Sequence, residues 1–490
     1  MIHPSRNINL DENGRGKRGG TAHVDASAMA DTPQVMGIYD FTLENGNQFI
    51  IRALKDGKVY KNLATTIKTG LSVANYFSFE TFDNELFICD GASTPQTWDG
   101  SAATTSDITS SPTDWAAGNN PQQMIKHGYG NSERMWAVGC PNTPNSVYAS
   151  YDGDAKDFSD AHVITINIET GDGFGIIGAV EYGDRLMCFG KRKAYVIIDT
   201  DATTSNWGYV AAQWEGGAAN HRLIIKTPND IVCMMEDGEI YSVTSVQAYG
   251  DYKSASLTRP SFMHRWIKEN VRLGYISHFH GVYDPAMRAI KIFVVRSGQT
   301  QCDIALVYFI DRPVDEAWMI HDNQGQSSGY NASSAAVVRK SAGSYKVYTG
   351  DYDGYLWELE KEDKNDNSIG YYAGFKTPLL TIDNPRSDKM FKRIWLSVKP
   401  QGDYSVYVKW WIDNTYQSQL TLSMSGNAGL LDSFILDTDK LGGGDVMDVV
   451  ETLGNRGKRI QFEVYNSNAD EDFYFAKAMI DYKQLGARPK

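Results

Sequence analysis

The chain has 490 residues, with 47 Lys and Arg against 60 Asp and Glu and a formal net charge of −13. That balance excludes a surface built to grip nucleic acid or an anionic membrane, but not the transient passage of DNA. The length exceeds what one hydrophobic core serves, so two or more domains are expected, and 28 Tyr, 11 Trp and 45 Gly suit strands and turns better than helices.

Residues 1–30 are polar and Gly-rich, with Arg15, Lys17 and Arg18 close together. They predict an extended N-terminal arm. Its basic cluster reads as a solvated face or as an anchor on a neighbouring subunit. No apolar leader run opens the chain, and no run approaches the roughly 18 apolar residues that cross a bilayer. The expectation is a soluble protein made in a cytoplasm, without secretory signal or membrane anchor.

From Val35 the sequence reads as strands. One stretch, Asn84 to Gly100 (NELFICDGASTPQTWDG), gives the pattern: an apolar run, an Asp-Gly turn, a polar loop, an aromatic and a second Asp-Gly. Asp-Gly favours tight turns because Gly takes φ > 0 freely and Asp tolerates it. Copies follow at Ser132–Tyr151, Gly183–Ile198, Asn229–Val243 and Gly343–Leu359. An earlier one lies at Gly46–Tyr60 and a looser one at Arg288–Asp311. The aromatic anchors are Tyr60, Trp98, Tyr148, Tyr195, Tyr241, Tyr308 and Tyr355, and Cys89, Cys140, Cys188 and Cys233 share one place in the unit. All-β units repeating at roughly 40–50 residues mark a β-propeller, here of six or seven blades. One blade cannot bury both of its faces; a ring of blades can. Trp98, Trp136, Leu186, Cys188, Ile240 and Trp357 are the expected core.

Two intervals depart from the pattern. Ser101 to Asn120 reads as a Ser/Thr/Gly surface loop. SFMHRWIKENVRLGY, within 248–280, is the best helical candidate, with Phe262, Trp266, Ile267 and Val271 at helical spacing. After Glu360 a charged linker leads to longer strands. There Tyr404, Val406, Val408 and Trp410 alternate with Ser405, Tyr407 and Lys409, as on a half-buried antiparallel strand. The expected fold is therefore all-β: an arm at 1–30, a β-propeller core at 31–360, and a β-sandwich-like antiparallel domain at 361–490.

The chemistry is sparse. GxSxG, Walker A, HExxH and paired CxxC motifs are absent. The five cysteines read as inert buried thiols. GDGFGIIG at Gly171–Gly178 lacks the helix of a dinucleotide site and reads as a strand-entry turn. His278 and His280, at i and i+2, would share one side of a strand and admit a metal if a third ligand were near. Asp152, Asp154 and Asp157, and Asp351 and Asp353, read as Asx turns or as calcium loops. No catalytic residue, metal ligand or cofactor is assigned.

Several stretches resemble tail hub or nozzle proteins of short-tailed bacteriophages, the family that includes packaged-DNA stabilisation proteins. They are NINLDENGRGKRGGTAHV, NELFICDGASTPQTWDG, ERMWAVGCPNTPNSVYASYDGDAKDF, GIIGAVEYGDRLMCFGKRKAYVI, HRLIIKTPNDIVCMMEDGEIYSV and FKTPLLTIDNPRSDKMFKRIWLSV. The 248–280 region departs from the family layout. The resemblance implies a non-enzymatic virion protein of the tail. It implies a homo-hexameric ring that meets portal or adaptor proteins and carries fibres, spikes or a plug. Double-stranded DNA would pass its lumen without specific binding, and the ring would help retain the genome. The alternative is a propeller-type carbohydrate-active enzyme or glycan-binding module.

Overall fold

The computed structural model describes residues 5–485, apart from 12–13, 26, 63, 130–131, 247–250, 262, 324, 342, 400–403 and 425–446. The chain is all-β, 52 % strand and 6 % helix. It divides into two compact units, a larger one of His23–Ala317 and Gly329–Glu358 and a smaller one of Met1–Ala22, Trp318–Ser328 and Leu359–Lys490.

The larger unit is a succession of antiparallel sheets. The first pairs Val35–Thr42, Gln48–Leu54, Val59–Lys61 and Thr65–Lys68. The second pairs Ser78–Phe82, Glu85–Cys89, Gln96–Trp98 and Ser106–Asp107. The third comprises Gln123–Tyr129, Ser132–Val138, Ser146–Ala149 and Ile164–Asn167; the fourth, Ile176–Tyr182, Arg185–Gly190, Ala194–Ile198 and Gly208–Ala211. The fifth is built from Ile224–Lys226, Asp230–Met234, Ile240–Val246 and Asp251–Ser256. A sixth holds His280–Asp284, Ala289–Val294 and Ile304–Phe309, and a seventh Ala332–Ser341, Ser344–Asp351 and Leu356–Lys361. The hairpin repeat of the sequence is the second and third strands of each sheet.

Its turns are set locally. Asp90 Oδ1 accepts the N–H groups of Ala92 and Ser93, and Asp99 Oδ1 those of Ser101 and Ala102. Each Asp-Gly pair is thus an Asx turn that satisfies its own backbone. Between the first two strands of the second sheet, Asp83 and Asn84 both take positive φ, as a two-residue hairpin requires.

First strands of consecutive sheets lie side by side through all seven, and Ala332–Ser341 of the last lies beside Val35–Thr42 of the first. Apolar clusters fill the gaps between sheets. Trp98, Leu86 and Ile88 pack with Ile51 and Val59 of the first sheet. Phe87 and Cys89 pack with Met135 and Tyr148. Trp136 packs with Leu186 and Cys188, and Phe189 with Ile231 and Cys233. Val35, Leu54 and Tyr60 of the first sheet pack with Val338, Tyr348 and Leu356 of the seventh. The layout is propeller-like: each of these sheets buries apolar surface against its neighbour, which one sheet alone cannot do. All six expected core residues are buried.

The first and seventh sheets are also joined by polar contacts. Ser333 Oγ donates to the Val35 carbonyl at 2.6 Å, and the Arg339 N–H to Asp40 at 2.8 Å. Just ahead of the first sheet, His23 stacks on Tyr355 with ring centroids 4.1 Å apart, and the Val24 N–H reaches the Leu356 carbonyl at 2.8 Å.

The smaller unit has two groups of strands. One runs in the order Trp318–Asp322, Ser5–Arg6, Ala373–Lys376, Ile460–Asn466, Ser405–Ile412, Thr415–Ser423. The other runs Ile8–Asp11, Gly14–Lys17, Tyr474–Gln484, Lys389–Lys399, Met447–Gly457. Val406, Val408 and Trp410 are buried and their neighbours are more open, as expected; Ile412 continues the pattern, and Tyr404 is half-buried just ahead of the strand. The groups meet through side chains: Phe375 packs on Phe475, and Trp410 Nε1 donates to Asn455 at 3.1 Å.

Three expectations need correction. Ser5–Arg6, Ile8–Asp11 and Gly14–Lys17 are paired strands of the smaller unit rather than an extended arm. Lys17 and Arg18 are buried, so the basic cluster is no solvated face. Ser101–Asn120 is more than a surface loop: it carries the strand Ser106–Asp107 and a 3-10 turn, Thr113–Gly118, and it buries Ile108 and Trp115 in the core. The helical candidate forms a short helix, Met263–Asn270, followed by a 3-10 segment, Leu273–His278. Ile267 and Val271 of that pattern are buried; Phe262 lies outside the described residues.

Candidate binding site

A cavity of about 370 Å³ opens within the larger unit. Its lining comes from residues at or just ahead of the first strands of several sheets. Gln34 and Met36 belong to the first sheet, Asn75 and Tyr76 to the approach to the second, and Gln122 to the approach to the third. His221 and Arg222 come from the 3-10 turn His221–Leu223 before the fifth, and Ser277 and His278 from the segment before the sixth. Lys55 adds a second cation from the turn after Gln48–Leu54.

Asn220 caps the turn that presents Arg222. Its Oδ1 accepts the Arg222 N–H at 2.8 Å, while its Nδ2 donates to the carbonyls of Ile276 and Phe279. The guanidinium lies 3.4 Å from the centre of the Tyr76 ring. Nη1 donates to the Ser333 carbonyl and Nη2 to the Ser277 carbonyl, each at 3.0 Å. Tyr76 is held in turn: Gln34 Nε2 reaches its hydroxyl at 3.2 Å and Gln122 Nε2 its carbonyl at 2.8 Å.

The electrostatics are one-signed. No Asp or Glu is among the lining residues, and no carboxylate pairs with Arg222 among the described residues. Burial, then the adjacent Arg222, pulls the His221 pKa down to about 3. Burial, then Arg222 and Lys55, lowers His278 below the usual imidazole range. His280, behind it, is pushed well down by burial and by Arg222. His221 Nε2 and His278 Nδ1 have no hydrogen-bond partner among the described residues.

A second titratable group lies further along the first strands. Glu80, in Ser78–Phe82, is raised to about 7, chiefly by burial. The N–H groups of Thr81 and Lys126 oppose that shift and Glu181 adds to it.

Of the residues singled out in the sequence, His278 lines this cavity, and the others lie elsewhere. His278 ends a 3-10 segment and His280 opens a strand, so they do not share a strand face; His280 stacks on Phe293 at 4.9 Å. Asp351 accepts the N–H groups of Asp353 and Tyr355 and the Trp357 indole N–H at 2.9 Å, which makes it a structural turn. Asp157 accepts from Ser110 and Ser159 and meets His162, and Asp154 caps Lys156. Asp152 faces Arg134 at 3.6 Å. Gly171 and Gly173 take positive φ just ahead of the strand Ile176–Tyr182, a strand-entry turn. The cysteines are free and buried; burial pushes the thiol of Cys140 up to about 12 and that of Cys188 higher, so neither is a thiolate at neutral pH.

Two features had no sequence signal. Arg222 sits in an unremarkable HRLIIK run, and nothing in the residues around it marks its approach to Tyr76, 146 positions earlier. Asp237, Glu239 and His264 come within metal-ligating distance of one another. Glu239 is already held by both Nε and Nη2 of Arg259, a cation that competes with any metal.

No family model matches the chain, and no curated protein does. Among solved structures, it is similar to YCF48 from Cyanidioschyzon merolae at 11 % identity and a TM-score of 0.40, over 70 % of this chain and 98 % of that one. It is also similar to Saccharomyces cerevisiae Sqt1 at 9 % identity and a TM-score of 0.41, over 74 % of this chain and 100 % of that one. The computationally designed Ika8 protein matches at 10 % identity and a TM-score of 0.37, over 74 % of this chain and 98 % of that one.

Proposed function

We propose that the larger unit is a closed seven-bladed propeller, that the smaller unit is a β-sandwich, and that the protein is a structural subunit of a phage tail. In this reading it forms a hexameric hub or nozzle ring. The ring extends the ejection channel, helps retain packaged DNA, and joins portal or adaptor proteins to fibres, spikes or a plug. The blade count rests on the seven first strands that neighbour one another in turn, with the last beside the first. The sandwich rests on Phe375 meeting Phe475 and Trp410 meeting Asn455. The tail assignment rests on the resemblance of stretches spread from Asn7 to Val398.

The cavity speaks against one form of the alternative, glycoside hydrolysis at that site. Glycoside hydrolysis needs two carboxyl groups flanking the bond to be cleaved. This cavity is lined by two cations, histidines and amides, with no acid. Electron microscopy of the pure protein, with sedimentation against purified particles, tests the proposal. Rings with a central hole and co-sedimentation are expected. A monomer that stays in the supernatant and cleaves glycans would overturn it.

A further inference from the structure

We infer that the cavity holding Arg222 and Lys55 is a binding site for a small hydroxylated organic anion, a carboxylate or phosphate on a sugar-like skeleton. The inference stands on the pocket alone and is independent of the tail assignment.

The first step is charge. Several cations of this protein meet aspartates, while others, such as the buried Lys389, are held by backbone carbonyls. Arg18 meets Asp366, Arg52 meets Asp25, Lys291 meets Asp284 and Arg296 meets Asp303. Arg222 is bonded instead to two neutral carbonyls and lies on the face of Tyr76. A guanidinium carries five N–H donors in a fixed fork. Two bonds to backbone oxygens leave donors over, and a bidentate oxyanion is the partner such a fork suits. Lys55, exposed and in the same lining, adds a second charge.

The second step is rigidity. Asn220 fixes the backbone of Arg222, the Ser277 and Ser333 carbonyls fix its plane, and Tyr76 supports its face. A preset donor loses little freedom on binding, so more of the contact energy appears as affinity.

The third step is the rest of the wall. A volume of about 370 Å³ falls in the range of small-molecule sites. Gln34, Asn75 and Gln122 add neutral amides to the lining; their nitrogens are held by Tyr76 and the Asp90 carbonyl, which leaves their oxygens to accept from a ligand. Amides match hydroxyl groups, which both donate and accept. His221 and His278, with ring nitrogens free, extend that set without adding negative charge. A bare inorganic ion would make no use of the amide oxygens, and an apolar ligand would leave the guanidinium without an anion.

The test is calorimetric titration of the full chain with three probes: glucuronate, glucose 6-phosphate and neutral glucose. One or both anions should bind with a Kd of about 1 mM or tighter, and glucose should bind far more weakly. Glucuronate alone identifies a carboxylate site and glucose 6-phosphate alone a phosphate site; either supports the inference. Lys55→Glu, at an exposed position, should fold normally and weaken binding about tenfold or more. Arg222→Met should abolish it, but that variant also removes contacts within the fold, so Lys55→Glu decides. No heat with either anion at about 20 mM, equal affinity for glucose, or unchanged affinity in Lys55→Glu would overturn the site.

Discussion

Arg18 and Asp366, 348 residues apart, form a two-pronged ion pair with both side chains fully buried. Nη1 meets Oδ1 at 2.9 Å and Nη2 meets Oδ2 at 2.6 Å. Asn7 binds alongside: its Oδ1 accepts from Arg18 Nε and from the Asp322 N–H, and its Nδ2 donates to Asp322 and to the Tyr372 carbonyl. One knot thus ties three distant parts of the chain into the smaller unit. Removing one partner strands the other charge without water, which costs about 3–5 kcal/mol. Arg18→Met should therefore destabilise the smaller unit by that amount in urea denaturation. Arg18→Met combined with Asp366→Leu should recover much of the loss, because no buried charge remains. A double variant as weak as the single one would show that the knot depends on more than charge.

This knot marks the boundary of what the sequence made legible. The repeat was readable because strands two and three of each sheet carry their own turn chemistry, as in Asp90-Gly91 and Asp99-Gly100, within seventeen residues. The apolar alternation of Val406, Val408 and Trp410 was readable for the same reason: a period of two is local. Asp322, Asp366, Asn466 and the other partners that bury Asn7, Lys17 and Arg18 are hundreds of residues away, so the same cations read as a solvated arm. The segment Trp318–Ser328 had no composition shift to separate it from the strands around it. The site was illegible on the same grounds, since Arg222 and Tyr76 meet only after the sheets are side by side.

The core between the third and fourth sheets gives a second test. Trp136 is fully buried, stacks on Trp207 at 5.8 Å and donates its indole N–H to the His127 carbonyl at 3.1 Å. Trp136→Ala should cost roughly 3–5 kcal/mol, from lost transfer energy and the cavity left behind. A loss under about 1 kcal/mol would mean the two sheets close over the gap.

Where the seventh sheet meets the first, space is the constraint. A Cβ on Gly350 would stand 2.4 Å from Val35 Cβ and Cγ1, both on ordered strands. Gly350→Ala should destabilise the larger unit by roughly 1–3 kcal/mol, the usual cost of overpacking. Gly208→Ala meets nothing within 4 Å and should stay within about 0.5 kcal/mol of the parent. Equal melting temperatures for the two variants would refute a tight seam.

Glu80 makes stability depend on pH. Its folded pKa is raised to about 7 from an ordinary value of 4.5. Between those values the unfolded chain has released a proton that the folded chain still holds. Stability from this group is therefore full below about pH 4.5, falls as pH rises, and is gone above about pH 7. The span is at most about 3 kcal/mol. Glu80→Gln should remove this slope, so that the variant gains on the parent as pH rises from 5 to 8. A constant difference across that range would mean Glu80 titrates normally.

The last prediction concerns DNA. Duplex DNA carries one negative charge per about 1.7 Å, and each phosphate paired with Lys or Arg adds affinity that must be broken before the genome slides. A channel that only guides DNA gains from a wall that does not hold it. The net charge of −13 per chain favours repulsion, and a ring of several chains multiplies it. Two basic stretches run against that average, Lys191–Arg192–Lys193 and Arg456–Arg459. Both include a cation that is already matched. Lys191 pairs with Glu236 at 2.7 Å and lies over the Phe174 ring, and Arg456 pairs with Asp388 at 2.8 Å. A phosphate would have to displace those carboxylates to gain a contact at Lys191 or Arg456. In the larger unit's cavity, Lys55 shares its space with Arg222 at a size suited to a small molecule rather than to a duplex. The isolated protein should therefore show no measurable affinity for duplex DNA at physiological salt. An anisotropy titration with labelled duplex across a salt series checks this. Micromolar binding with a steep negative salt slope would overturn the passive channel. Charge reversal in each basic stretch would then show which one clamps the DNA.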